Sequence, residues 1–104
     1  VKTQENAWIH LVATILVIIL AVWLEISLYG WIGLLLVIGI VWISEFLNTA
    51  LEVIVDLASP ERHPLAKVGK DVGAAAVLIS ASIAVIIGLL ILGPPLLKKI
   101  AILF

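Results

Sequence analysis

Glu45, Asn48, Glu52 and Asp56 are spaced 3, 4 and 4 residues apart in Glu45-Phe-Leu-Asn-Thr-Ala-Leu-Glu52-Val-Ile-Val-Asp56, a stretch otherwise oily enough to cross a membrane. At about 100° per residue, this spacing puts three carboxylates and a carboxamide on one stripe of a helix. Ionisable groups at membrane depth are costly, and by default they mark a site. Carboxylate oxygens suit Mg²⁺, which takes one or two of them and fills its other positions with water and phosphate. A carboxylate held beside a hydroxyl can also take its proton. The stripe has a bland reading too, as hydrogen-bonding glue between helices.

Depth divides the stripe. Trp31 to Ser44 is free of charge over 14 residues, roughly 21 Å of helix. With Trp31 at the far interface of a core about 30 Å thick, Glu45 lies roughly 9 Å inside the near one, within reach of a lipid headgroup. Glu52 lies nearer the water. Glu5, just before the first apolar run, is expected on the same side, so the two could meet at one ion. Lys70-Asp71 opens the third span there, and Lys70 could meet a phosphate. Together these residues read as phosphoryl transfer across the membrane interface, with nucleotide from the water side and alcohol from the lipid side. A competing reading is an ion- or proton-translocating subunit with Glu45 and Glu52 as a relay. A third is a structural oligomer in which the stripe only specifies packing. P-loop, Rossmann, zinc-protease and nucleophile-elbow motifs are absent.

Several single residues have plain readings. Asp56 alone reads as an interfacial charge, Glu25 as a solvated turn residue, and Asp71 as a possible cap of the third helix. His10 reads as a snorkelling or hydrogen-bonded side chain rather than a ligand. His63 is open between a solvated residue and a nucleotide contact.

The elements that must position these groups are legible from hydropathy. Of 104 residues, 64% are hydrophobic, and mean hydropathy is +1.35. That exceeds a soluble domain and marks an all-α membrane protein. Net charge is −1 with no basic run, so no nucleic-acid partner is implied. Cysteine is absent, which removes disulfides and thiolate metal sites. Methionine is absent even at position 1, so the natural start is expected upstream.

Three spans are expected, at about 7–24, 31–57 and 72–92, in one domain covering 1–104. Trp8 and Trp23 bracket the first as interfacial aromatics. A short turn is expected over 25–30, with Tyr29 and Gly30 at its tip. The polar loop 58–71 is expected to hold a short helix capped by Ser59-Pro60-Glu61. Pro64 should then break the chain, and Gly93-Pro94-Pro95 should end the third span. Lys2, Arg62, Lys67 and Lys70 fall on one side and Lys98 and Lys99 on the other. The excess of basic residues puts the long loop in the cytoplasm. Ala76, Ser80, Ala84 and Gly88 repeat at i+4, with Gly69 and Gly73 upstream. Such ladders let helix backbones approach closely, so protomers of an oligomer are expected to meet along them.

The Glu45–Asp56 segment resembles the signature helix of the prokaryotic diacylglycerol kinase and undecaprenol kinase family. Lys70-Asp71-Val-Gly-Ala-Ala-Ala-Val-Leu78 resembles its second block. Glu61-Arg-His63-Pro-Leu-Ala-Lys67 resembles its loop, and Gln4-Glu5-Asn6 its early acidic position. The resemblance implies a homotrimer with three transmembrane helices per protomer in a bacterial cytoplasmic membrane. It implies Mg²⁺ and ATP as cofactor and co-substrate, and a lipid alcohol, diacylglycerol or undecaprenol, phosphorylated at the cytoplasmic face. By position, Glu45 resembles the general base and Asn48 the polar residue supporting the site. Glu5 and Glu52 resemble the metal ligands. Glu61, Arg62, His63, Lys70 and Asp71 resemble nucleotide contacts, and Asp56 is a further matching acid grouped with them. The family's amphipathic surface helix, upstream of the position matching Glu5, is expected to be missing from these residues.

Overall fold

In hydrocarbon a backbone must satisfy its own N–H and C=O groups, so long apolar runs become helices. A computed structural model describes residues 2–61 and 63–104, with side chains from residue 7 onward. The described residues form α1 (Lys2–Leu24), α2 (Leu28–Ala58) and α3 (Pro64–Leu103). All three are long and apolar enough to cross a membrane. They stack into a rod 59 × 22 × 21 Å. α2 packs chiefly on α3, and α1 touches both more lightly.

The rod is inside-out by soluble standards. Leu36 and Leu90 are 60% and 70% exposed, as are most large apolar side chains, whereas Glu45 is buried. An apolar surface of this extent needs lipid or further protein against it. The small apolar core, built on Ala21, Leu24, Leu34 and Leu92, sits at the end holding the α1–α2 turn. Glu61 lies toward the other end, together with Asp56, Lys67, Lys70 and Asp71.

Both connections differ from expectation. The first is tighter, because Tyr29 and Gly30 are helical and Ser27 is the N-cap of α2, its Oγ accepting from Gly30 N–H at 3.1 Å. The left-handed residue is Glu25, with φ 53°. Its N–H donates to Val22 O, and Ile26 N–H donates to Ala21 O. This is the paired closure of a Schellman motif, with Ile26 returning onto the core. Gly30 serves packing instead: Ile91 Cγ2 would lie 3.2 Å from a Cβ there.

The second connection shrinks to 59–63. Ser59 closes α2 rather than opening a short helix, its N–H donating to Val55 O at 2.8 Å. The cap-and-proline signature is real but falls later: His63 Nδ1 accepts from Leu65 N–H at 3.1 Å, and Pro64 is the first helical residue. Proline there has no intrahelical N–H to lose, so Pro64 starts a helix instead of breaking one. Asp71 is consequently inside α3, not its cap.

α3 also runs through Pro94 and Pro95 to Leu103, where an end at Gly93 was expected. Proline's fixed φ suits a helix, and the lost ladder bonds are tolerated when neighbours hold the segment. Leu92 and Leu96 anchor it on the core. Lys99 Nζ donates to Trp23 O at 2.7 Å and lies 4.5 Å from the Trp23 ring centre. Lys99 thus caps the C-terminus of α1, which accounts for a cation at this end of the rod.

Candidate functional site

The four-residue stripe of α2 is a continuous helical face, but its members have different neighbours. Glu45 turns toward α1, where its Oε2 lies 3.4 Å from Nε2 of His10. Asn48 turns toward α3: its Oδ1 lies against Gly73, where any Cβ would collide with it. Only glycine lets the two helices close at this point. Asn48 Nδ2 donates to Glu52 Oε1 at 3.3 Å. Asn48 Oδ1 is buried and finds no hydrogen-bond partner among the described residues. Asp56, near the end of α2, forms an ion pair with Lys70 of α3.

The last turn of α2, the connection and the first turns of α3 border an open cavity of about 510 Å³. Asp56, Glu61, His63, Lys67, Lys70 and Asp71 line it. Lys67 and Asp71 pair across one helical turn at 3.0 Å. The cavity therefore brings together every expected nucleotide contact whose side chain is described. Arg62 lies outside the described residues, as does the side chain of Glu5, although Glu5 belongs to α1 rather than preceding it. Lys67 joins the cavity without having been singled out as a site residue. His63 spends Nδ1 on the cap, which leaves Nε2 for a ligand.

Glu45 and Glu52 do not line this cavity. Glu52 is four residues from Asp56, roughly 6 Å along the helix, and Glu45 is roughly 10 Å deeper than Glu52. The site is thus graded, from paired charges at the polar end to one buried carboxylate well inside. Among the described residues no three His, Cys, Asp or Glu side chains cluster as a metal cage. One or two hard carboxylate oxygens completed by phosphate and water is the coordination Mg²⁺ takes, and Glu52 is of that type.

His10 is the residue whose partnership sequence reading missed. A signal existed in the register. α1 and α2 are antiparallel, His10 lies five residues inward of Glu5, and Glu45 lies seven inward of Glu52. These offsets, roughly 7.5 and 10 Å, put both at similar depth if Glu5 and Glu52 are level.

Three helices long and apolar enough to cross a membrane, with a buried carboxylate between them and a charged cavity at one end, define a multi-span membrane protein. The sequence model of the prokaryotic diacylglycerol kinase family matches residues 1–92. The chain is 43% identical over 95 residues to an undecaprenol kinase of Bacillus subtilis, covering 91% of this chain and 77% of that protein. It is 45% identical over 97 residues to a diacylglycerol kinase of Synechocystis, covering 92% and 55%. A diacylglycerol kinase of Escherichia coli K12 is 38% identical over 92 residues, covering 82% and 75%. The chain belongs to the prokaryotic diacylglycerol kinase family, a family of lipid kinases. Membership in a kinase family lends no support to the ion-relay reading of Glu45 and Glu52.

Proposed function

We propose that this protein transfers the terminal phosphoryl group of Mg-ATP to the hydroxyl of a membrane lipid at the cytoplasmic face of a bacterial membrane. With diacylglycerol the product is phosphatidic acid, and with undecaprenol it is undecaprenyl phosphate. The observation that carries this reading is the graded site on α2: a charged cavity at the helix end and, roughly three turns further along the helix, the buried carboxylate of Glu45. A nucleotide needs the first, and a lipid hydroxyl at headgroup depth needs the second.

In this reading Glu45 accepts the hydroxyl proton as the alcohol oxygen attacks phosphorus. Asn48 holds Glu52 in place through its amide. Glu52 and Glu5 would hold Mg²⁺, which when bound neutralises charge on the phosphate oxygens. Lys70 exchanges its bond to Asp56 for a phosphate oxygen, with Lys67 beside it. Glu61, Arg62, His63, Asp71 and the released Asp56 contact the rest of the nucleotide. The protein works as a homotrimer with sites shared between protomers. Gly88 leaves room for a neighbouring protomer, since it lies on the small-residue ladder of α3 and nothing among the described residues comes within 4 Å of a Cβ placed there.

The test supplies labelled ATP and Mg²⁺ with either diacylglycerol or undecaprenol. Labelled lipid from one of them is expected, and chelation of the metal should abolish it. Glu45→Gln should retain Mg-nucleotide binding and oligomeric state but lose turnover by about 10²–10⁴-fold, the worth of a general base. No labelled lipid from either substrate would overturn the kinase reading, and normal turnover by Glu45→Gln would overturn the role of that residue.

A further inference from the structure

We propose that His10 is a positioning residue of the phosphoryl-transfer site, donating from Nε2–H to Oε2 of Glu45. The inference rests on Glu45 being the base. Glu45 is 6% exposed, and a buried carboxylate without a donor is strongly disfavoured. The ionisable partner it meets among the described residues is His10, at 3.4 Å. That separation is long for a hydrogen bond, as catalytic contacts often are before substrate tightens them.

The surroundings of His10 are built to hold it. Thr14, one turn further along α1, donates its hydroxyl to the His10 carbonyl at 2.7 Å and accepts the indole N–H of Trp42 at 3.0 Å. The Trp42 ring also packs on the imidazole, centre to centre 6.0 Å at 58°, and is backed by Phe46 at 5.5 Å. One tryptophan of α2 therefore fixes both the backbone and the ring of His10, three residues before the carboxylate it serves. Ser44 donates to Val41 O, and Asn48 donates to Glu52, so neither neighbouring polar side chain on α2 takes this duty.

The imidazole N–H satisfies one carboxylate oxygen. Oε1 is then left to accept the lipid hydroxyl. Holding a base in the productive orientation acts on the chemical step, not on nucleotide affinity.

Two variants separate donor from packing. His10→Phe keeps a ring beside Trp42 and removes the donor, and His10→Gln keeps an amide donor and removes the ring. At saturating lipid and Mg-ATP, His10→Phe should lower kcat roughly 10–100-fold, the usual cost of losing an outer supporting partner, with nucleotide KM unchanged. His10→Gln should stay within a few-fold of the parent. In a Glu45→Gln background, His10→Phe should cause no further loss, because the two act as one unit. Unchanged kcat in His10→Phe, equal loss in both variants, or multiplicative losses with Glu45→Gln would each overturn the proposal. Should His10→Phe fail to assemble, His10→Ala with the same readouts decides. If Glu45→Gln loses turnover while His10→Phe keeps it, this inference alone fails. If Glu45→Gln keeps turnover, the base assignment fails and this inference fails with it.

Discussion

Replacing Gly73 by alanine sets a gain in helix propensity against a collision. Alanine is favoured over glycine by about 1 kcal/mol in a helix interior. Here the added Cβ would meet Asn48 Oδ1 at a distance no real contact allows, and Leu51 Cδ2 at 3.1 Å. Overpacking of this kind costs about 1–3 kcal/mol, so the net loss of stability is about 0–2 kcal/mol. Leucine can give by a few tenths of an ångström. Asn48 must turn away, and that breaks its 3.3 Å bond to Glu52. The functional effect should therefore exceed the thermal one: roughly 10–100-fold in turnover, as when a ligand's supporting partner is removed. The assay is lipid phosphorylation at saturating substrates, with the unfolding midpoint in detergent measured in parallel. Asn48→Ala supplies the decisive background, since it removes the atom that Cβ strikes. There, adding Gly73→Ala should cost almost nothing more. Additive losses in the double variant would refute the route through Asn48.

Other outcomes follow from the two ends of the rod. Asp56→Asn should leave stability nearly unchanged, because an exposed ion pair is worth about 0–1 kcal/mol. Lys70→Met should raise the nucleotide KM roughly tenfold or more, the worth of a charged hydrogen bond to phosphate. Equal KM values for Lys70→Met and the parent would remove Lys70 from the nucleotide site. Lys99→Gln should lower the unfolding midpoint by weakening the α1 C-terminus, with about 1–2 kcal/mol at stake from the helix end and the tryptophan face together. Lys98→Gln, at an exposed position with no such contact among the described residues, should leave the midpoint unchanged.

The sequence by itself determined the number of helices and the face of α2 on which Glu45, Asn48, Glu52 and Asp56 align. Runs of apolar residues long enough to span a bilayer leave the backbone no alternative to a helix, and spacing of 3, 4 and 4 aligns side chains whatever the helix packs against. The order of the stripe along α2, from Glu45 to Asp56, was legible for the same reason, since rise per residue is constant. Helix ends were less legible. Ser59-Pro60 and His63-Pro64 are both plausible starts, and only the extent of α2, which takes Ser59 as its own cap, selects the second. Gly30 and Pro94-Pro95 carry breaker residues yet lie inside helices, held there by Ile91 in one case and by Leu92, Leu96 and Lys99 in the other. What only the tertiary structure decided is which neighbour each member of the stripe meets: His10 for Glu45, Gly73 for Asn48, Lys70 for Asp56. Apolar helix faces look alike in a one-dimensional pattern, because lipid and a packed helix are equally oily surroundings. The rotation and register of α1 and α3 against α2 therefore come from long-range fit, and it is that fit which completes the site.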